Sequence, residues 1–499
     1  MLKRFSISRE EILPKYGMPL DAATQRDLGA AIYSIVFGMA YFIITGYPGA
    51  SPLFTSFLKD YLGVSDSAYG LILTLPFITV LIQVPFTIYV ARRGRIKQSF
   101  LVAGALAKVT FLTLAFLPIL GNRLNSQAAF LIVVATILLT STFNWIADSA
   151  INTWFGSLIP TEIKGRYFST RQMIFTIAML FYALTMSQLL QLLRDWRWKY
   201  TLFFGLAVLF GLIDILFYTK VRPPEKAYLP WFHTSPEQKV QTFTMHQFLM
   251  PLRDSRYRAY LLFTISWSFS MQISGPYYNV YMFNDLKFSL GQMTLLSQII
   301  PAIATILFLR RIGQAFDHYG FKPILILSCG VSLVLPVSWM FATVDSNWFV
   351  YLSNVLSGIF NIGIDLAIMS LAIFLAPHAE RSAYLAMKSI AMALLGFVPA
   401  IMIGGFLSDL LRPVLLAAQL PFFRGQVMNP FHVLLILTFC LRLTTLLVFA
   451  RRLHEPTAMS FSDFVAHANA THLAQLRRQR VLLREKRRRL RQRLNPRKK

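Results

Sequence analysis

Four ionisable residues lie deep inside apolar stretches of this 499-residue chain: Lys108, Asp148, Asp365 and Arg442. A charge at that depth in hydrocarbon is costly, and a ligand, a proton or a partner charge normally accounts for it. Two of the four belong to polar stripes. Ser141, Asn144, Asp148 and Asn152 recur at steps of three, four and four residues, as do Asn354, Ser357, Asn361 and Asp365. That spacing stacks each set on one helical face, and such a face must meet protein or water rather than lipid. Carboxylates and amides around a wetted cavity suit a cationic or hydroxylated ligand, or the carriage of protons. The same residues can instead form structural pairs, Asp148 with Lys108 and Asp365 with Arg442, since all four lie about 15 Å from one membrane face at 1.5 Å per residue. Breaking such a pair strands a charge. Asp214 is a further acid within reach of Lys108. Tyr33, Phe37 and Tyr41 at four-residue spacing, and Trp267 with Met271 and Ser274, offer apolar bodies with a few polar groups, as a small-molecule cavity requires.

The elements that hold these residues are membrane helices. With 55% hydrophobic and 14% charged residues the chain departs from soluble proteins, which carry about 25% charge. Two cysteines, 24 prolines and 25 glycines exclude a disulfide scaffold, collagen and disorder. Runs of about 20 apolar residues cross a bilayer. They recur near 29–56, 67–91, 99–119, 128–158, 170–192, 200–220, 259–283, 290–311, 322–343, 347–376, 383–410 and 431–452. Twelve spans are therefore predicted. The expected organisation is a cytoplasmic segment 1–28, a six-helix bundle 29–220, a cytoplasmic loop 221–258, a second six-helix bundle 259–452 and a basic tail 453–499.

Charge sets the orientation. The termini and the turns on their side carry 39 Lys/Arg, the opposite loops eight, so both termini are expected in the cytoplasm of a plasma or inner membrane. No apolar stretch precedes Leu28, and no cleavable signal peptide is expected. Much of the net charge of +27 sits in residues 471–499, with thirteen Lys/Arg against Glu485. Leucines share a face there, which fits a basic amphipathic helix on anionic lipid. No aromatic interleaving or binding fold points to nucleic acid.

The chain repeats itself. NWIADSAI from Asn144 returns as NIGIDLAI from Asn361, aligning Asp148 with Asp365 at an offset of 217 residues; Pro160, Tyr167 and Arg171 match Pro377, Tyr384 and Lys388 at the same offset. Pro52, Leu62 and Ser65 match Pro276, Leu286 and Ser289 at 224, and Gly94 matches Gly320 at 226. Two halves of one topology imply parallel repeats around an axis along the membrane normal, with a site near the midplane between them. Pro52 and Pro276 are the expected hinges.

The turn GQAFDHYGFK, with Gly313, Asp317, Gly320 and Lys322, resembles the signature of the major facilitator superfamily. Its first-half counterpart keeps Arg92, Gly94 and Arg95 but has Thr87 and Ala91 in place of the family's glycine and aspartate. IPTEIKGRYFSTR, with Glu162 and Arg166, is similar to another family turn, and Arg381 stands in the equivalent turn of the second half. The resemblance covers about 29–452. It implies an all-α membrane fold of twelve helices in two pseudo-symmetric halves, spans one, four, seven and ten around the cavity, and cytoplasmic turns that latch the halves. Unaided, the first glycine of the turn allows close helix approach and the second a tight reversal.

The expected function is secondary active transport of a small molecule by alternating access, with proton-coupled uptake ahead of efflux by antiport. A polytopic enzyme would want carboxylates on sizeable outer loops, and here they are single and scattered; a transport-dead sensor on the same fold is the third class. No phosphate-binding loop is present, nothing implies a cofactor or a metal, and a monomer is expected.

Overall fold

A computed structural model describes residues 22–46, 51–83, 85–86, 95–120, 124–158, 164–193, 195–223, 245–377, 381–422, 427–453, 455 and 463. The basic tail, Arg92, Gly94 and Glu162 lie outside them, as do the side chains of Asn152, Arg166, Asp317 and Arg381.

The described residues are helical, with a single isolated bridge between Pro421 and Val427. The first half runs α1 (Ala22–Thr45), α2 (Pro52–Ser56), α3 (Asp66–Ile78), α4 (Ile96–Leu120), α5 (Ser126–Leu158), α6 (Lys164–Leu192) and α7 (Lys199–Thr219). After α8 (Met245–Arg253), the second half runs α9 (Ser255–Gln272), α10 (Tyr277–Asn284), α11 (Leu290–Thr294), α12 (Ile300–Tyr319), α13 (Phe321–Met340), α14 (Trp348–Leu375), α15 (Arg381–Ala391), α16 (Val398–Ala418) and α17 (Pro430–Thr444).

Among the described residues, 10 helices are long and apolar enough to cross a membrane, two fewer than expected. The second span is described only as a shorter apolar helix, Asp66–Ile82. The seventh is broken between Gln272 and Tyr277, where Gly275 and Pro276 interrupt the ladder that the hydropathy alone made continuous. The first span is also shorter than the run 29–56. Its helix ends at Thr45, and Pro52 opens the short α2 behind an N-cap on Ser51, whose Oγ accepts from Phe54 N at 3.1 Å. Pro52 and Pro276 thus stand at equivalent breaks, each followed by a short second helix.

Two other prolines mark joints inside single spans. Pro301 and Pro399 each follow a widened π turn, Leu295–Ile299 and Met392–Phe397, which absorbs the missing proline N–H. Ser65 and Ser289, aligned by the repeat, both serve as N-caps, accepting from Ala68 N and Gln292 N.

The basic-side turns close each half upon itself. Lys97 Nζ donates to Thr219 O and Val221 O, both at 2.7 Å, at the end of α7. Its counterpart Lys322 Nζ donates to Leu453 O at 2.6 Å, beyond α17. A lysine thus meets the carbonyl-rich end of the last helix in both repeats. Gly320 has φ 86°, which supports the expected tight reversal. A Cβ on Gly313 would meet no described residue within 4 Å, so the close approach expected there is not made among the described residues. The first N–H groups of α13 are taken by Glu455, from Phe321 N at 3.1 Å and Lys322 N at 2.7 Å.

The halves meet at the opposite end. Asp66, at the start of α3, accepts from Ser408 Oγ and Arg412 Nη2 of α16 and pairs with Lys59. Tyr69 donates to Pro276 O at 3.3 Å, Phe77 packs edge-on against Phe397 at 4.9 Å, and Ser187 of α6 donates to Gly291 O at 2.9 Å. A Cβ at Gly405 would fall 2.5 Å from Tyr277 OH and 2.6 Å from Asp66 O, so α3, α10 and α16 touch closely only because that position is glycine.

Candidate functional site

In each of the two polar stripes the aspartate is exposed, while Ser141 and Asn144 are buried. On α5 the exposed Leu131, Leu138 and Leu139 share one face. Asp148 lies about 120° around from them, on the face that buries Asn144 one turn earlier and Ser141 two turns earlier. Asp148 is nevertheless exposed. Its exposure therefore lies away from the face that carries the exposed leucines. Asp365 is exposed in the same way, on the stripe of Asn361 and Asn354 and away from the exposed Trp348, Leu352 and Val355.

Each acid faces a base on the following helix. Asp148 interacts first with Lys108 of α4 and then with Arg171 of α6, and Asp365 interacts with Lys388 of α15. Arg171 and Lys388 are the pair that the offset of 217 aligns, so both halves place a base of that position beside the acid, and the first half adds Lys108. Lys388 Nζ also lies 3.6 Å from the Met369 sulfur, one turn beyond Asp365 on α14.

Of the expected structural pairs, Lys108 with Asp148 is shared with a second acid, Asp214. Lys108 Nζ donates to Asn144 Oδ1 at 3.2 Å and lies 3.6 Å from the centre of the Tyr41 ring. Its stronger acidic neighbour is Asp214, with Asp148 second. Two glycines make room for this cluster: a Cβ at Gly38 would lie 3.0 Å from the Asp214 carboxylate, and one at Gly211 3.1 Å from the Lys108 stem.

Asp365 does not pair with Arg442. The Arg442 guanidinium donates to both Ser332 O and Ser332 Oγ, and lies 5.6 Å from the Trp267 ring. The reason is local. Pro336, four residues on, has no N–H to give Ser332 O, and Arg442 supplies the missing donor.

The remaining candidates divide. Tyr33 is 49% exposed, whereas Tyr41 and Trp267 are buried, and Phe37 stacks on Phe217 within the first half at 5.4 Å. Asn354 and Asn361 bond within their own helix, to Val350 O and Ser357 Oγ. Arg95 is exposed. Outside the membrane-spanning helices, burial alone would raise the Asp66 carboxyl, but Lys59, Ser408 and Arg412 outweigh it and hold the group below its ordinary value. Arg171, Lys388, Asp409 and Arg412 were not among the site candidates.

A family model described as Major Facilitator Superfamily matches residues 30–400. The chain belongs to that superfamily. It is a multi-pass membrane transporter and not an enzyme. Among solved structures, the fold is similar to the nucleoside transporter NupG, at 13% identity over 87% of this chain and 100% of that one, with TM-score 0.61. It is similar also to a D-xylose-proton symporter, at 17% identity over 87% and 98% of the two chains with TM-score 0.63. A bacterial homologue of the iron transporter ferroportin in an inward-facing state matches at 13% identity, over 88% and 100%, with TM-score 0.59. No curated protein matches by sequence.

Proposed function

We propose that this superfamily member is a secondary active transporter that takes up a small molecule together with protons, alternating between two states by rocking of the half 29–220 against the half 259–452. Both termini are assigned to the cytoplasm, and the basic tail 471–499 to anionic lipid on that side. With that orientation, the seal between α3 and α16 closes the outer end, and the state described above faces inward.

The observation that carries the coupling is the repeated couple, Asp148 with Arg171 and Asp365 with Lys388. Each carboxylate is exposed, away from the most exposed apolar residues of the first part of its helix, with no hydrogen-bond partner among the described residues. A group so placed can gain or lose a proton without breaking a packed contact, and the base beside it adjusts the ease with which it does so.

The test is flux in proteoliposomes loaded with a pH-sensitive dye. Nucleosides, pentoses, and the corresponding acids and phosphates are offered under an inward proton gradient. Uptake of a solute with internal acidification is expected. Asp148→Asn or Asp365→Asn should abolish gradient-driven accumulation and spare solute exchange. Accumulation at the wild-type level in both variants overturns the coupling, and a solute that moves only outward reverses the direction.

A further inference from the structure

A cavity of about 220 Å³ lies where α10, α16 and α17 meet, at the end of the molecule that carries the contact between α3 and α16. Its walls are mostly apolar. Leu415 of α16 and Phe431 and Leu434 of α17 are buried behind it, while Leu416 and Val427 stand exposed.

Most of the polar groups in this cavity are spent. Tyr277 OH donates to Ile401 O at 2.7 Å, Tyr281 OH meets His432 Nε2 at 3.3 Å, and Ser408 Oγ donates to Asp66. Asn429 uses both ends of its amide: Oδ1 accepts from His432 N at 3.1 Å, and Nδ2 donates to Asp285 Oδ1 at 2.9 Å. Asp66 is held by Lys59, Ser408 and Arg412 together.

Two groups keep bonding capacity to offer. Arg412 gives Nη2 to Asp66 at 2.6 Å, its one hydrogen bond among the described residues, so the N–H groups of Nε and Nη1 are unspent. Asp285 is exposed, and among the described residues its carboxylate accepts from Asn429 alone. The two charges line the same cavity and act on one another, yet no ion pair closes between them. Lys287, the other base near Asp285, is exposed and does not pair with it either. Opposite charges attract more strongly as water is excluded. A gap held open between a cation and an anion, in a mostly apolar hollow, therefore suits a molecule that carries both charges.

We infer that this cavity binds a small zwitterion with an apolar body, its anionic oxygens on the Arg412 fork and its ammonium on Asp285. The guanidinium contact is charge-assisted and has two nitrogens to give. The apolar body lies against Leu415, Phe431 and Leu434. A lone anion would leave Asp285 unmatched, and a lone cation would leave Arg412 so. The volume is below the range of about 300–1,000 Å³ found for drug-sized ligands, which limits the occupant to a small group. A free aliphatic amino acid and the head group of phosphatidylethanolamine present the same two charges. The site is separate from the acid–base couples at Asp148 and Asp365, and it depends neither on the carrier reading nor on which way this end of the molecule faces.

The test uses the full-length chain in dodecyl maltoside micelles, which are uncharged and compete with neither group. Unfolding midpoints are read with L-leucine, with leucinamide, which lacks the carboxylate, and with 4-methylvalerate, which lacks the ammonium. Leucine should raise the midpoint, and each analogue should bind about tenfold more weakly or worse. Asp285→Asn keeps an oxygen for Asn429 and removes only the charge. Its unliganded midpoint should hold, its leucine affinity should fall about tenfold, and its response to 4-methylvalerate should match that of the wild type. In a second arm phosphatidylethanolamine is added to the micelles. A rise that Asp285→Asn abolishes, and to which leucine adds nothing further, assigns the site to the lipid head group. A leucine shift that this lipid leaves unchanged assigns it to the free amino acid. Equal shifts from leucine and leucinamide overturn the inference. A leucine or lipid shift that survives undiminished in Asp285→Asn, or silence from both sources, overturns it as well.

Discussion

Asp409 of the second half caps a helix of the first: its Oδ1 accepts from Asp66 N at 3.0 Å and its Oδ2 from Ser67 N at 2.8 Å. Ser65 takes the next N–H of α3, that of Ala68. The first three amides of the helix are thus satisfied, two of them by a residue more than 340 positions away. In the proposed cycle the cap exists only while α3 and α16 are in contact, so it contributes to one state and not to the other.

Removing the cap should therefore shift the population of states rather than the fold. Asp409→Ala is expected to cost the closed contact between α3 and α16 about 1 kcal/mol, which moves the equilibrium about fivefold toward opening. Spin labels at Asp60 and Leu420, in a Cys440→Ser background, should show a longer distance gaining weight.

Asp66 gives the same seal a pH dependence of known sign. Its folded carboxyl lies below the ordinary value of 3.8. The charge therefore contributes fully above that value and is lost as pH falls through the lower folded one. Between about pH 7 and pH 5 the label distances should not change; further acidification should open the outer end. Asp66→Asn should show the open population already at neutral pH and lose the acid transition.

The repeated couples can be separated from their neighbours by a double-variant cycle. Asp365→Asn and Lys388→Met each leave one charge facing the gap. Their combination should cost less than the two single changes added, by about 1 kcal/mol in unfolding free energy. Strict additivity would mean that the two groups do not interact.

Lys108 should behave as a buried structural cation. Lys108→Met strands Asp214 and should destabilise by about 3–5 kcal/mol, with much of the loss recovered in Lys108→Met/Asp214→Asn. Gly320→Ala tests the reversal before α13; the positive φ there should cost about 1–3 kcal/mol, read as a lower midpoint.

Most of the membrane portion was legible in the sequence because hydropathy and the 217-residue echo report on burial and on duplication. What escaped them was local. A hydropathy window runs straight through Gly275 and Pro276, so the seventh span looked unbroken. Arg171 and Lys388 were counted with the loops because an apolar window stops at its first base, although their shared offset with Asp148 and Asp365 was visible. Arg442 was matched to Asp365 by depth alone; the carbonyl freed by Pro336 lies on a different helix and drew it away. The seal between α3 and α16 had no signature at all. Asp66, Asp409 and Arg412 read as ordinary helix-end charges until folding brings them together across the two halves.

The lysine clasps at Lys97 and Lys322 carry a consequence for how the molecule is put together. Each set of helices is fastened shut by a bond from its own third span to its own last, with no thread borrowed from the other set. Either piece can therefore keep its shape when translated alone. Two fragments divided after Arg222, expressed side by side, should find one another in the bilayer and rebuild the working protein.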